Sequence, residues 1–431
     1  MHKADGSFSP SQVVLYFGLM SLLVNLVNPT FLLDIPTSYM LKNILQLPPS
    51  EIAFFRLLTA IPFFLGFAFG LVRDLWNPLG RRDLGYFRIF VPLMIGVLGW
   101  LAFSPTTYQG LLAGMLLTTV AYCFVAAAAQ GLTALIGQEA QMTGRLSALS
   151  NFFLFLPAGA AYLASGFMSE SLTPRQVFLV VLALSGTLTV FGYWKPGSVF
   201  HHAYDNSRAQ GTTFFADIRR LARHRAVYPV VLINLLWNFS PGSYTPMQFY
   251  LTNQLHAPDS TYGYFLGILN FCFVPPVVLY GFLCQKFPPR KLLLWSVMIG
   301  VPQFLPMAFI HNGQQALLAA VLIGLLGGMA NVACIDIAMR ACPPGLQGTL
   351  MMMIAATFAL SMRGGDVFGT WIYGLSPEHG FMYCVMAITL SYALILPVIP
   401  FIPKQITATP DGEPNPEDEA SVLRETYAEG T

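Results

Sequence analysis

Long apolar runs alternate with short polar turns along almost the whole chain of 431 residues. An α-helix needs about 20 consecutive apolar residues to cross the hydrocarbon of a bilayer, so the chain contains about twelve candidate spans. The first six lie at 13–41, 52–75, 86–103, 108–136, 146–168 and 177–194, and the second six at 227–251, 262–284, 292–310, 316–339, 349–373 and 381–402. The pattern predicts an all-α membrane protein.

The two sets of six spans carry signs of duplication. A polar hairpin between the second and third spans, Gly70 to Arg82, holds an acid among arginines. Its outline returns between the eighth and ninth spans, where Gln285 stands in place of Asp74. Around the first outer turn, several residues recur at a constant offset of 210 positions: Leu41, Asn43, Leu45, Pro48 and Ser50 match Leu251, Asn253, Leu255, Pro258 and Ser260. Matches at one offset indicate a shared ancestor of the two halves.

Duplicated halves predict two pseudo-symmetric six-helix bundles with a substrate site between them, as in many transporters. We expect an N-terminal bundle at 1–194, a cytoplasmic linker at 195–226, a C-terminal bundle at 227–403 and a tail at 404–431. The linker's end, 213–225, has apolar side chains on one helical face and arginines elsewhere. It is either an amphipathic helix on the inner membrane surface or a solvated linker. The acidic, proline-bearing tail predicts disorder, and we assign it no function.

Composition and the distribution of basic residues add an orientation. Hydrophobic residues make up 55% of the chain and charged residues only 10%, far below the roughly 25% typical of soluble domains. With both termini in the cytoplasm, only Lys42 and Arg175 among the loop lysines and arginines face outward. Basic loops favour the cytoplasmic side. We therefore expect a multi-pass protein of a bacterial inner membrane, since nothing resembles an organelle transit peptide.

The sequence lacks the common signatures of metal, redox and nucleotide chemistry. Its six cysteines fall in apolar runs or inner turns without ligand-like spacing, which predicts no disulfide and no metal site. No nucleotide-binding loop and no nucleophile with a base is found.

We expect a gradient-driven transporter rather than an enzyme, without a cofactor. Its expected partners are a small solute, the lipid bilayer and, as a candidate coupling ion, protons; we expect no nucleic acid, and a monomer.

Ionisable residues inside spans are the candidates for function, because each costs at least about 2.5 kcal/mol in hydrocarbon unless it is paired or hydrated. Arg363 lies near the middle of the eleventh span, beside Gly364 and Gly365. We predict that it contacts an anionic substrate. Asp366, on the same helical face, either serves the substrate site or neutralises Arg363.

Two further pairs of charges lie in or at the ends of spans. Asp34 and Arg56 lie at similar heights in the first two spans, where they form either a structural salt bridge or part of a gate. Asp34 is also, with Asp366, a candidate proton carrier. Asp336 precedes Arg340 by one helical turn, which favours an intrahelical pair over a functional role.

The seventh span carries amides and an aromatic ring that suit a flat heterocyclic substrate. Asn234 and Asn238 are one turn apart and share a face, with Trp237 nearby. The alternative is that such amides hydrogen-bond neighbouring helices. Small-residue spacing elsewhere predicts close helix packing at three glycine pairs: Gly66 and Gly70, Gly324 and Gly328, and Gly365 and Gly369.

The charges of the Gly70 to Arg82 hairpin suggest a latch. Asp74 with Arg73, Arg81 and Arg82 would form ion pairs on the cytoplasmic side that rearrange as the two halves rock. The alternative is that these charges only set the membrane orientation.

The hairpin resembles the signature between the second and third helices of the major facilitator superfamily, with Asp74 in its acidic position and Arg81 and Arg82 in its basic ones. Two stretches resemble the folate-biopterin transporter family within it. They are Ser-Tyr-Met-Leu-Lys-Asn-Ile-Leu-Gln-Leu-Pro-Pro-Ser at 38–50 and Cys-Pro-Pro-Gly-Leu-Gln-Gly at 342–348. The resemblance implies the major facilitator fold and uptake of folates or pterins, whose carboxylates Arg363 would meet. The chain departs from that family at Ala126, Ala127 and Gln130, where an acid is expected.

Two other functions fit the same fold. One is transport of a different solute, such as a muropeptide or a drug-like molecule. The other is a non-transporting membrane assembly factor, as in the related light-harvesting assembly proteins. Charged residues facing a wet cavity favour transport, whereas a cavity filled with aromatic side chains favours assembly.

Overall fold

The computed structural model describes residues 9–197, 199–200, 214–258, 260–376 and 378–413. Every regular element among them is helical. The helices of the first half are α1 (Pro10–Leu26), α2 (Pro29–Leu32), α3 (Asp34–Tyr39), α4 (Pro49–Phe64), α5 (Gly66–Leu75), α6 (Asp83–Phe103), α7 (Tyr108–Glu139), α8 (Thr143–Ser171) and α9 (Pro174–Thr187). Those of the second half are α10 (Phe214–Arg223), α11 (Val227–Asn238), α12 (Thr245–Phe249), α13 (Ser260–Leu283), α14 (Pro289–Gly300), α15 (Gly313–Arg340), α16 (Gln347–Tyr373) and α17 (Gly380–Ala393).

Membrane-spanning length is widespread in the described chain. Eight helical stretches are long and apolar enough to cross a bilayer, and three shorter apolar helices accompany them. The 29-residue helix α8 adds a further stretch of membrane-spanning length. The prediction of an all-α membrane protein is confirmed. Three spans end in 3-10 turns among the described residues: Leu188–Gly192 after α9, Val301–Phe309 after α14, and Ile399–Phe401 at the end of the twelfth span.

The first and seventh spans, expected as continuous runs, are broken. In the first, the Asn28 side chain accepts a hydrogen bond from the Thr30 backbone nitrogen and starts α2 after the end of α1. In the seventh, the chain leaves helical geometry between α11 and α12. Gly242 has a φ of +106° there, a conformation that a residue with a Cβ rarely adopts. Hydropathy alone could not show these breaks, because the broken segments remain apolar.

The turns that follow the first and seventh spans share an unusual backbone. The first span ends in a π-helical turn, Met40–Ile44, and the seventh ends in a π-helical turn, Tyr250–Gln254. Each is followed by a residue with positive φ, Gln46 at 52° and His256 at 49°. The offset is again 210 residues, the same as in the sequence repeat. Two copies of one rare irregularity support the duplication of the halves.

The chain divides into two compact units. Unit 1 comprises Met1–Thr133, Phe152–Asp217 and Pro343–Leu360, and unit 2 comprises Ala134–Asn151, Ile218–Cys342 and Ser361–Thr431. Each unit thus takes residues from both halves of the sequence. The expected boundary at 195–226 stays a prediction, because residues 201–213 lie outside the described chain. Helix α10 lies within the expected linker.

The C-terminal segment corrects one expectation. Residues 404–413, predicted as the start of a disordered tail, are ordered: Lys404–Ile406 is a 3-10 turn and Asp411 is buried. Composition misled here because the segment is held by hydrogen bonds to distant parts of unit 2. The rest of the expected tail, 414–431, lies outside the described residues.

The glycine pairs pack as predicted. In unit 2, a Cβ on Gly324 would lie 2.5 Å from the Cβ of Cys272 on α13, and one on Gly328 would lie 2.5 Å from Pro276. Helices α13 and α15 therefore approach closely along this stripe. In the same unit, a Cβ on Gly369 would lie 2.5 Å from the backbone nitrogen of Gly242. Here α16 packs against the break in the seventh span.

Candidate functional site

Unit 1 contains a buried cluster of charges at the end of the second span, which we call the hairpin cluster: Arg73, Asp74, Asp83, Gly348 and Thr349. Arg73 donates two hydrogen bonds to Asp83, at 2.5 and 2.7 Å, and one to Asp74 at 2.8 Å. The three charged side chains are at most 8% exposed. One arginine between two carboxylates satisfies charges that would be expensive to bury alone.

Asp74 also binds the start of α16. Its carboxylate accepts hydrogen bonds from the backbone nitrogens of Gly348 at 3.1 Å and Thr349 at 2.6 Å, and from the Thr349 hydroxyl at 2.6 Å. These N–H groups have no partner within the helix, and the helix dipole favours a negative charge there. Asp74 thus caps a helix that begins 273 residues later in the chain.

Glycines make this contact possible. A Cβ on Gly70 would lie 2.3 Å from the Gly348 carbonyl oxygen and 2.8 Å from the Thr349 Cα. One helical turn before Gly70, Gly66 makes a similar contact: a Cβ added there would lie 2.8 Å from the Met352 carbonyl oxygen. Helices α5 and α16 therefore touch backbone to backbone, as the small-residue spacing predicted.

The predicted latch residues differ in whether they form the expected ion pairs. Asp74 pairs with Arg73, as expected. Arg81 is exposed, and the Arg82 backbone nitrogen donates to the Asn77 side chain at 2.6 Å. The partners that sequence reasoning missed are Asp83 and Thr349. The only local signal was an acid directly after Arg82, at the first residue of α6.

The predicted pair of Asp34 and Arg56, also in unit 1, forms. Arg56 Nη2 lies 3.2 Å from Asp34 Oδ2, and Arg56 Nε donates to the Ser38 hydroxyl at 3.0 Å. Both charged side chains are 42% exposed. An ion pair this open contributes little to stability.

The predicted substrate residues of α16 lie in unit 2. Arg363 is exposed near the middle of the helix, and its guanidinium makes no ion pair or hydrogen bond with a described residue. The structure describes Asp366 as well, and no ion pair joins the two side chains; whether Asp366 serves the substrate site or balances the charge of Arg363 stays a prediction. Asp366 accepts hydrogen bonds from the Thr245 backbone nitrogen and hydroxyl, both at 2.9 Å.

Asp366 therefore fixes the break in the seventh span. Thr245 is the first residue of α12, so the carboxylate caps this short helix just after Tyr244. Tyr244 directly precedes Thr245, and Arg363 lies about one helical turn before Asp366. An aromatic hydroxyl, a cation and an anchored carboxylate are thus brought together at a helix break. Tyr244 therefore belongs to this group.

The predicted residues of α11 serve packing in this conformation. The Asn234 amide is buried and donates to the Val230 carbonyl at 3.0 Å, and the Asn238 amide donates to the Asn234 carbonyl at 2.7 Å. Trp237 is 6% exposed and stacks on Tyr392, with ring centroids 4.6 Å apart. Both amides bond their own helix rather than a neighbouring one. Direct substrate contact by these three residues stays a prediction.

The third predicted pair also forms in unit 2. Arg340 Nε lies 2.9 Å from Asp336 Oδ1, one helical turn away, which confirms the intrahelical pair. The Tyr280 hydroxyl donates to the other oxygen of Asp336 at 2.7 Å.

Comparison with known proteins places this geometry in a family. The sequence profile of the Major Facilitator Superfamily matches residues 11–363. The chain belongs to the major facilitator superfamily. Membership makes the protein a multi-pass membrane transporter, and it confirms the resemblance of the Gly70 to Arg82 hairpin to the signature of that superfamily.

Individual members of the superfamily are distant in sequence. The folate-biopterin transporter of Synechocystis sp. is 23% identical over 404 residues, covering 88% of this chain and 81% of that protein. Among solved structures, the proton:xylose symporter XylE has a TM-score of 0.68 at 13% identity, covering 92% of this chain and 97% of the other. The fucose:proton symporter FucP of E. coli has a TM-score of 0.66 at 17% identity, covering 92% and 100%. These structures share the major facilitator fold.

Proposed function

We propose that this transporter carries a small, anionic, heteroaromatic metabolite of the folate or pterin type by alternating access. The observation that carries the proposal is Arg363, an exposed arginine near the middle of a membrane-spanning helix whose guanidinium has no partner among the described residues. A charge facing lipid at that depth would cost at least about 2.5 kcal/mol. A wet, solute-accessible surface removes that cost.

An arginine in such a place suits a carboxylate. Its planar guanidinium offers two parallel N–H donors that match the two oxygens of a carboxylate. The neighbouring Tyr244 offers a hydroxyl and an aromatic face, both suited to a flat ring. Broken membrane helices mark the substrate sites of many transporters, and Tyr244 lies in the break of the seventh span.

The relatives support the same solute class and a location. The Synechocystis protein is a folate-biopterin transporter, and this chain shares its superfamily and most of its length. We propose a bacterial inner membrane, with the arginine-rich helix ends and both termini in the cytoplasm, because basic loops stay on that side.

Uptake by proteoliposomes tests the solute and the site separately. Purified protein is reconstituted, and accumulation of labelled folate and of a labelled pterin is measured. The Arg363→Ala variant is compared with Arg223→Ala, which removes an exposed arginine of α10 outside the spans. We expect uptake by the wild type and by Arg223→Ala, and a loss of at least about tenfold in kcat/KM for Arg363→Ala, equivalent to one charge-assisted hydrogen bond.

The two failures are distinguishable. If no folate or pterin is taken up, and none inhibits the uptake of another solute, the proposed solute class is wrong. If uptake occurs but Arg363→Ala matches Arg223→Ala, the class stands and the site is wrong.

We further propose that protons drive accumulation, with Asp34 as the carrier. Asp34 is half-exposed beside Arg56, whereas both oxygens of Asp366 already accept hydrogen bonds from Thr245. Asp34→Asn should abolish accumulation driven by an imposed pH gradient yet leave solute exchange intact, because exchange moves no net proton. Wild-type accumulation that ignores the pH gradient would refute coupling, and an unaffected Asp34→Asn would exclude Asp34 as the carrier.

A further inference from the structure

The second half of the chain lacks the acid that the hairpin cluster uses. At the end of α13, where α5 ends in Arg73 and Asp74, the chain continues with Cys284 and Gln285. Gln285 is exposed, and its amide donates to the Gly281 carbonyl of its own helix at 3.1 Å. Neither residue can supply a carboxylate to a helix N-terminus.

A carboxylate nevertheless occupies the corresponding place in unit 2, and it comes from the C-terminal segment. Asp411 accepts hydrogen bonds from the backbone nitrogens of Gly144 at 3.2 Å and Arg145 at 2.9 Å, and from the Thr143 hydroxyl at 3.4 Å. These residues begin α8. The arrangement repeats the one at α16, where a carboxylate caps two backbone nitrogens and a threonine hydroxyl.

Asp411 also pairs with the end of α15. Arg340 donates to Asp411 through Nη2 and to the Thr409 carbonyl at 3.1 Å, while its Nε pairs with Asp336. Arg145 Nε lies 3.7 Å from the same carboxylate, whose side chain is fully buried. As in the hairpin cluster, one buried arginine lies between two acids.

Backbone contacts seat the segment on both sides of Asp411. The Asp411 nitrogen donates to the Cys284 carbonyl at 2.9 Å, and the Gly412 nitrogen donates to the Gln141 carbonyl at 2.8 Å. Residues 407–412, which we call the strap, thus touch the turn before α8, the end of α13 and the end of α15. The first of these belongs to the first half of the sequence, and the other two belong to the second half.

We propose that the strap is an inhibitory tie within the transporter: Asp411 replaces the acid missing at Gln285, holds the start of α8 to the end of α15, and must release before these helix ends can separate. The proposal rests on the transporter fold and not on the identity of the solute.

The electrostatics show what holds the strap in place. Burial raises the pKa of Asp411, the Asp336 carboxylate raises it further, and Arg340 lowers it. The ionised carboxyl therefore depends on its arginines and N–H donors to offset its desolvation. The Cys284 side chain is buried, and its thiol donates to the Asp411 carboxylate at 3.7 Å. A docked strap should keep this thiol covered and hence slow to react.

The labelling rates of native cysteines can measure release of the strap without any transported solute. Three backgrounds each keep one of the six free cysteines: Cys284 under the strap, Cys342 at the end of α15, or Cys384, which donates to the Gly369 carbonyl. Cys342 reports separation because the Gln138 side chain at the end of α7 donates to its carbonyl at 2.8 Å. In each background, Asp411→Asn is compared with Glu413→Gln, which neutralises an exposed acid two positions later. The rate of reaction with a small membrane-permeant maleimide is measured.

We expect Asp411→Asn to raise the labelling rate of Cys284 and Cys342 by at least about tenfold, the change produced by losing one charge-assisted hydrogen bond. Cys384 should stay slow, and Glu413→Gln should leave all three rates unchanged. An unchanged Cys284 rate would show that Asp411 does not hold the strap. A rise at Cys284 alone would show that the strap docks without tying the helices. A rise at all three sites would mean general unfolding. Each of these three results would overturn the proposal.

Discussion

The carboxylate of Asp74 lies 2.6 Å from the backbone nitrogen of Thr349, at the first turn of a helix in the other half of the sequence. This hydrogen bond is one of three that Asp74 accepts from the start of α16, and Arg73 balances its charge. The predicted latch therefore acts on a helix terminus as well as on neighbouring charges.

Removing the charge of Asp74 should destabilise the protein. Asp74→Asn leaves Arg73 and the α16 N–H groups with a weaker acceptor, so we expect a loss of about 1–3 kcal/mol, as for a buried hydrogen bond to a charged group. The measurement is the melting temperature in detergent. Asp34→Asn is the control, because it makes the same chemical change at an ion pair that is 42% exposed and is worth about 0–1 kcal/mol. Equal shifts for the two variants would contradict the capping role.

A methyl group at Gly70 should separate α5 from α16. The added Cβ would lie 2.3 Å from the Gly348 carbonyl oxygen, which is backbone and cannot swing away. We expect Gly70→Ala to cost about 1–3 kcal/mol, as overpacking does, and to lower the melting temperature. Gly96→Ala in α6 is the control, since a Cβ there meets nothing within 4 Å and alanine favours helix. If both variants melt alike, the close approach does not matter to stability.

Asp366 and Thr245 should act as one unit. Because the Asp366 carboxylate bonds both the nitrogen and the hydroxyl of Thr245, Asp366→Ala and Thr245→Val remove a shared interaction. In a double-mutant cycle on melting temperature and on solute KM, we expect a coupling of about 0.5–3 kcal/mol. Additive effects would show that Asp366 acts independently of Thr245, for instance through direct contact with solute.

The sequence predicts much of the fold for a physical reason. Apolar run length determines which segments can span a bilayer, so the spans could be located without tertiary contacts. Pairs one turn apart, such as Asp336 and Arg340, follow from helical geometry alone. The Asp34 and Arg56 pair was accessible because the two residues lie at similar heights in consecutive spans.

The site was harder to predict, because its partners are distant in sequence. Nothing near Asp74 indicates Thr349, and nothing near Gly144 indicates Asp411. In each case a short polar side chain meets unpaired N–H groups at the start of a helix from the other half. For the same reason, the sequence suggested Arg363 as the partner of Asp366, whereas the structure shows hydrogen bonds from Thr245. The polar composition of the strap predicts a solvated tail. The prediction fails because a few buried contacts with distant residues outweigh this local polarity.

The π-helical turns at Met40–Ile44 and Tyr250–Gln254 bear on how this protein arose. Two independent insertions would rarely produce the same turn, each followed by one left-handed residue, at matching positions. The turn therefore predates the duplication that produced the two halves. The hairpins have diverged more, because Asp74 stands in the first copy and Gln285 in the second. The two halves thus kept the backbone of this turn while they came to differ in charge.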